Sequence, residues 1–69
     1  MKMDRTEIRE TLSKKVEWLA AMHITYRLEN TEHFERQKKE IAQFVRENQI
    51  CVHKELDPLT RHLYNRYFS

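Results

Sequence analysis

The hydrophobic residues in the first part of the chain recur with the spacing of an α-helix. At about 100° per residue, one set of side chains lies close to a single line and forms an apolar stripe: Ile8, Leu12, Leu19, Met22 and Tyr26. Asp4 precedes this stripe and has Glu7 three residues after it, which is typical of a helix N-terminus. The pattern predicts a first helix over residues 4–28.

A second apolar surface lies on the other side of this predicted helix. It comprises Ala20, Ala21, Ile24 and Leu28, with Trp18 at the edge of the main stripe. A helix that is apolar on several sides is usually buried on several sides. Because one partner helix cannot cover both, we expect a second copy of the chain to cover the second surface. The alternative is that the C-terminal helix folds back and covers it within one chain.

The second half of the chain carries one long apolar stripe. On a single continuous helix, these side chains lie within about 40° of one line: Phe34, Ile41, Val45, Val52, Leu56, Leu59 and Leu63. Thr31 is suited to cap the start of this helix, and Asn30 to adopt a left-handed backbone before it. The phase favours a helix over residues 32–56. The weak helix formers around Asn48 favour an end there, which is the alternative.

Pro58 interrupts this second helix. Proline cannot donate a hydrogen bond to the carbonyl of Lys54, and it disfavours helical backbone at Asp57. Asp57 as N-cap and Pro58 as the first helical residue also make a favourable helix start. We therefore expect a short third helix over residues 58–67, which either continues the second with a kink or folds back across the hairpin. Its expected inner edge is Leu59, Leu63 and Tyr67.

The composition also indicates an all-α fold. The 69 residues include no glycine and one proline, so the chain lacks the residue that most hairpin turns require. The fold expected is an antiparallel helical hairpin of two long helices plus a short C-terminal helix after Asp57-Pro58, dimerising into a helical bundle. A chain of this length forms one small domain with a marginal core. Disorder until a partner binds is the alternative, and the regular apolar spacing argues against it.

Charge and cysteine content restrict the location and the partners. Acidic and basic residues make up 35% of the chain but leave a net charge of only +2, and neither sign forms a tail. Cys51 is the only cysteine, which favours a reducing compartment. No apolar run approaches the ~18 residues of a membrane span, and we expect no signal peptide. We expect a cytoplasmic protein that does not enter membranes.

The four histidines and Cys51 lack the spacing of a catalytic or metal site. On a helix, Cys51 and His53 point about 200° apart, so they cannot share a metal or act as nucleophile and base. Structural zinc sites need four ligands, usually in paired spacings. We expect no metal, no cofactor and no catalytic residue, hence a protein that is not an enzyme. Cys51 is expected to be half-buried beside Val52.

Aromatic and basic residues point to two kinds of binding surface. Tryptophan and tyrosine are enriched at protein interfaces, and Phe68 is the aromatic residue that is hardest to bury within one chain. The expected protein interface is Trp18, Ala20, Ala21, Ile24, Leu28 and Phe68. The alternative is a nucleic-acid-binding regulator, in which the C-terminal helix contacts phosphates and stacks on bases. Its contact residues would be Arg61, His62, Tyr64 and Arg66.

The stretch His53-Lys54-Glu55-Leu56-Asp57 resembles a family signature. The small bacterial aspartyl-phosphate phosphatases that act on a sporulation response regulator are helical hairpins with Ser-Gln-Glu-Leu-Asp on the second helix. The resemblance extends over residues 34–68, but histidine and lysine replace the serine and glutamine, and a proline follows the aspartate. It implies a phosphatase in which Glu55 and Asp57 would be the residues to test. The leading hypothesis remains a small helical interaction or regulatory protein, a homodimer that also binds an unidentified protein.

Overall fold

The computed structural model describes residues 4–68 and contains four helices over that range. Helix α1 spans Arg5–Ile24, α2 spans Glu32–Glu47, α3 spans Val52–Glu55 and α4 spans Pro58–Phe68. Helices hold 78% of the described residues, and none of those residues forms a strand. The prediction of an all-α chain, with two long helices packed together and a short C-terminal helix, is confirmed.

The two long helices run antiparallel. At the start of α1, the Arg5 guanidinium donates a hydrogen bond to the carbonyl of Asn48, just after α2, at 2.8 Å. Near the other end of α1, the ring of His23 lies edge-on to Phe34 in the first turn of α2, with centroids 6.4 Å apart. The beginning of each helix therefore lies beside the end of the other.

Helix α4 folds back along α1 and runs parallel to it. Near its start, Thr60 shares a hydrogen bond with Ser13 at 2.9 Å, and near its end Tyr67 shares one with His23 at 2.7 Å. Of the two courses expected for the third helix, folding back is therefore correct. The helices enclose one hydrophobic core, whose buried members are Ile8, Leu12, Val16, Leu19, Ala20, Met22, Phe34, Ile41, Ile50 and Leu56.

Three polar side chains cap the helices as the sequence predicts. Asp4, Thr31 and Asp57 each accept a hydrogen bond from the backbone amide three residues later, at 2.8, 3.2 and 3.2 Å. These bonds satisfy amides that have no partner inside the helix. Pro58 is the first residue of α4, where its missing amide hydrogen costs nothing.

Helix α1 is shorter than predicted, because it ends at Ile24 rather than at Leu28. Arg27 adopts the left-handed region with φ 54°, and the Leu28 amide then donates to the carbonyl of Met22 at 2.8 Å. Tyr26 therefore leaves the apolar stripe and is 57% exposed, whereas the sequence pattern placed it in the core.

The prediction that the second helix continues to residue 56 is wrong. Helix α2 ends at Glu47, as the alternative based on Asn48 proposed. Gln49 then takes a left-handed conformation, and the amide of Ile50 donates to the carbonyl of Val45 at 3.1 Å, as in a Schellman motif. The break turns Ile50 into the core, where it is 7% exposed.

Two residues other than glycine occupy the left-handed region among the described residues. They are Arg27, with φ 54°, and Gln49, with φ 51°. Both follow the C-terminus of a helix, where glycine is usual. Asn30, which the sequence favoured for this conformation, is not one of them. For residues with a Cβ atom, this region costs about 1–2 kcal/mol each.

The inner edge of α4 also differs from the expectation. Leu63 and Tyr67 are partly buried and pack against the core, but Leu59 is 61% exposed. Thr60 takes the inward position instead and is 1% exposed. The predicted edge assumed the phase of an unbroken second helix, and the turns at residues 48–51 and 56–57 reset that phase.

Candidate functional site

Large hydrophobic side chains are exposed together at the C-terminal end of α1. Trp18 is 46% exposed, Ile24 is 59% exposed and Tyr26 is 57% exposed. Ala21 lies between Trp18 and Ile24 on the same side of the helix and is half-buried. We call these four residues the α1 outer face. Large exposed apolar patches are common at interaction surfaces, so the α1 outer face is the candidate binding surface.

Three residues of the α1 outer face lie on the helix, and the turn after α1 adds Tyr26. Trp18, Ala21 and Ile24 follow one another at intervals of three residues, so Trp18 and Ile24 lie about 60° to either side of Ala21 around the helix. The end of α1 then brings Tyr26 against Trp18, with ring centroids 5.9 Å apart and planes at 56°. Sequence reasoning missed Tyr26 because its position was read from a helix that extended too far.

The structure divides the predicted interface residues into two groups. Trp18, Ala21 and Ile24 lie on the α1 outer face. Ala20 is only 8% exposed, because it lies two turns from Ser13 on the side of α1 that packs against α4. The fold-back alternative is therefore correct for that side of the helix, although Ile24 remains uncovered.

The other two predicted interface residues pack within the chain. Leu28 is partly buried against the core. Phe68 is partly buried as well, and its ring stacks on Tyr64 with centroids 4.5 Å apart and planes at 17°. The ammonium group of Lys38 lies 5.9 Å from the Phe68 ring. The expectation that Phe68 resists burial within one chain is therefore wrong.

The proposed nucleic-acid contacts lie on two sides of α4. His62 and Arg66 are one turn apart on an exposed side, whereas Arg61 and Tyr64 lie on the opposite side. Arg61 donates a hydrogen bond to the carbonyl of His53 at 3.1 Å. Burial raises the pKa of Tyr64. The four residues therefore do not form one basic and aromatic surface.

Glu55 and Asp57 both have structural contacts. Glu55 forms an ion pair with Arg5 and accepts the Cys51 amide at 2.7 Å, and these bonds hold its pKa below the usual range. Hydrogen bonds from the side chain and amide of Thr60 likewise lower the pKa of Asp57. Glu55 thus joins α3 to the start of α1, and Asp57 caps α4.

The remaining candidates offer no enclosed site. Cys51 is exposed rather than half-buried, because it lies at the turn before α3. Within residues 4–68, no three histidine, cysteine or acidic side chains lie close enough to hold a metal ion. No helix in that range is long and apolar enough to cross a membrane. A shallow groove on α2 is lined by that helix alone: Lys39, Ala42, Gln43, Arg46 and Glu47.

Comparison of the chain with family models, with curated proteins and with solved structures finds no match.

Proposed function

We propose that this chain is a non-enzymatic interaction protein that works as a homodimer, joined through the α1 outer face, and acts by binding another protein. The shared exposure of Trp18, Ile24 and Tyr26 carries the proposal. Full burial of a large apolar side chain is worth about 1.5–3 kcal/mol relative to leaving it in water. A small domain with a marginal core gains most from covering such a cluster.

A second copy fits this face because the face can pair with itself. In a twofold, antiparallel contact between two α1 helices, each Ala21 lies on the axis and faces the Ala21 of the partner subunit. Trp18 of one chain then lies level with Ile24 of the partner subunit along the helix axis. The small alanine at the centre allows a close approach of the helices, and the larger side chains fill the space on both sides of it.

The charges beside the face suit the same arrangement. Glu17 precedes the α1 outer face along α1, whereas Arg27 follows it, and both are exposed. Antiparallel pairing would set Glu17 near Arg27 of the partner subunit. Opposite charges at an interface rim favour the correct orientation more than they raise affinity.

The size of the molecule limits the strength of this contact. A standard interface buries about 800 Å² on each partner, which is about 15% of the 5190 Å² surface of this chain. The four residues of the outer face cover only the centre of such an area. We therefore expect a dimer that forms at micromolar concentrations.

Disulfide trapping at Ala21 tests the proposal. Ala21→Cys in a Cys51→Ser background places one thiol on the proposed twofold axis. Mild oxidation should give a covalent dimer in most of the protein at tens of micromolar, because the two thiols meet whenever the dimer forms. Leu59→Cys in the same background is the control, since Leu59 is more exposed than Ala21 but lies on α4, away from the α1 outer face. Equal cross-linking of both variants, or none in either, would contradict the proposal.

A further inference from the structure

The apolar stripe of α2 continues in phase beyond the end of the helix. Val45 belongs to α2, whereas Val52 and Leu56 follow the break, yet all three would lie within about 40° of one line on a continuous helix. All three are buried or pack against the core in the broken form. A break does not require this agreement, because it resets the rotation of the chain. The sequence therefore suits both a broken and a straight conformation here.

Two opposing free-energy contributions decide whether the chain is broken or straight after α2. We call residues 48–51 the hinge and residues 52–68 the C-terminal arm. Gln49 in the hinge occupies the left-handed region with φ 51°, which disfavours the broken form by roughly tenfold. Ile50 opposes this, because it is 7% exposed in the bent form, whereas on a straight helix it would lie on the side opposite the buried Ile41. Small changes in the hinge can therefore shift the balance.

The contacts of the arm can form equally well between two chains. Three side-chain pairs connect the arm to α1: Glu55 with Arg5, Thr60 with Ser13, and Tyr67 with His23. The members of each pair are 44 to 50 residues apart in sequence. A second copy offers the same partners in the same places, so an exchange of arms keeps all three pairs.

We propose that the hinge straightens and that two copies of this chain exchange their C-terminal arms. A straight helix over residues 32–56 places Leu56 about 22 Å along the axis from Ile41, at a rise of ~1.5 Å per residue. The arm then lies beyond the reach of its own Ser13 and packs on α1 of the second copy. This exchange does not involve the α1 outer face, so it goes beyond the homodimer proposed above.

Mixed disulfide trapping tests the exchange. One chain carries Ser13→Cys and the other Thr60→Cys, each with Cys51→Ser, and the two are unfolded, mixed, refolded and oxidised. The native Oγ and Oγ1 atoms lie 2.9 Å apart, so exchange brings the two thiols together. The result expected is a disulfide-linked heterodimer. A chain carrying both cysteines should form the intrachain bond, which shows that the geometry permits it.

Two hinge variants should change the heterodimer yield in opposite directions. Asn48→Ala with Gln49→Ala favours the straight helix, and the heterodimer yield should rise severalfold. Gln49→Gly removes the cost of the left-handed conformation and disfavours the straight helix, so the yield should fall about tenfold. Circular dichroism checks that each variant remains helical.

Two results would contradict the proposed exchange of C-terminal arms. The proposal fails if no heterodimer forms in the alanine variant while the intrachain control does form. It fails equally if the yield is the same in all three hinge sequences. Neither result depends on the Ala21→Cys cross-link, which does not bring Ser13 near Thr60, so the exchange and the homodimer proposed above can fail separately.

Discussion

Thr60 shares a hydrogen bond with Ser13 across 47 positions of sequence, with the two hydroxyl oxygens 2.9 Å apart. Thr60 is 1% exposed and is the one fully buried polar residue among those that the structure describes. Any shift of α4 along α1 would separate the two hydroxyls and break this hydrogen bond. The pair therefore fixes where α4 lies along α1.

Replacing Thr60 by valine should destabilise the protein by about 1–3 kcal/mol. The substitution keeps the shape but removes the hydroxyl, which leaves Ser13 without its partner and removes a bond to Asp57. Urea unfolding of Ser13→Ala, Thr60→Val and the double variant measures the coupling between the two positions. Additive effects within about 0.3 kcal/mol would show that the hydrogen bond does not contribute to stability.

Pro58→Ala should lower the free energy of unfolding by about 0.4–1 kcal/mol. Pro58 begins α4 with a backbone that proline prefers, so alanine adds only freedom to the unfolded chain. Helix content measured by circular dichroism should not change. A more stable and more helical Pro58→Ala variant would indicate instead that α3 and α4 join into one helix.

Stability should fall in acid as Glu55 and Asp57 take up protons. Both carboxyl groups have a lowered pKa in the folded chain, for Glu55 chiefly because Arg5 donates to it, and for Asp57 because Thr60 does. The unfolded chain therefore binds protons more readily than the folded chain, and stability rises with pH across this range. The stabilisation by these two carboxylates should be complete above the ordinary glutamate pKa of 4.5. It should decline as the pH drops through their lowered pKa values in the folded chain.

The variants Glu55→Gln and Asp57→Asn separate these two contributions. Asparagine caps a helix about as well as aspartate, so Asp57→Asn removes the titration and keeps the cap. Urea midpoints between pH 3 and pH 7 should depend less on pH in each variant than in the wild type. If the urea midpoints of both variants depend on pH as strongly as those of the wild type, other carboxyl groups cause the acid sensitivity.

A charge exchange across the proposed dimer axis should reveal its orientation. Glu17→Arg and Arg27→Glu, made singly, each place like charges at the rim and should weaken the dimer by about two- to fivefold. The double variant reverses both signs and should recover most of that loss. The dissociation constant of the dimer, measured at low salt for each variant, tests this prediction. If the double variant loses as much affinity as the two single variants together, the antiparallel arrangement is excluded.

Periodicity and caps predicted most of the fold. Leu12, Leu19 and Ile41 are buried as their spacing requires, and Asp4 and Thr31 cap the helices that they were expected to start. These features are local or repeat along one helix, so the sequence shows them directly. The antiparallel hairpin follows because the connection between its two helices is short.

The breaks in the helices were harder to predict because long-range packing decides them. Phase coherence from Phe34 to Leu63 favoured one long helix, yet the burial of Ile50 favours an end at Glu47. Nothing in the pattern places Arg27 or Gln49 in a left-handed conformation, since glycine is usual there. Tyr26 was missed as an outer-face residue for the same reason, because its position depends on where α1 ends.

Sedimentation equilibrium of the wild type and of Ile24→Glu measures whether the α1 outer face joins two copies of the chain. The wild type should change from the monomer mass of 8.6 kDa towards about twice that value as its concentration rises through the micromolar range. Ile24→Glu should stay folded and dimerise much more weakly than the wild type, because Ile24 is 59% exposed in the single chain and contributes little to its core. Any dimer that this variant keeps would come from the exchange of C-terminal arms. A wild type that stays at 8.6 kDa at the highest usable concentration, or an Ile24→Glu variant that dimerises as readily as the wild type, would contradict dimerisation through the α1 outer face.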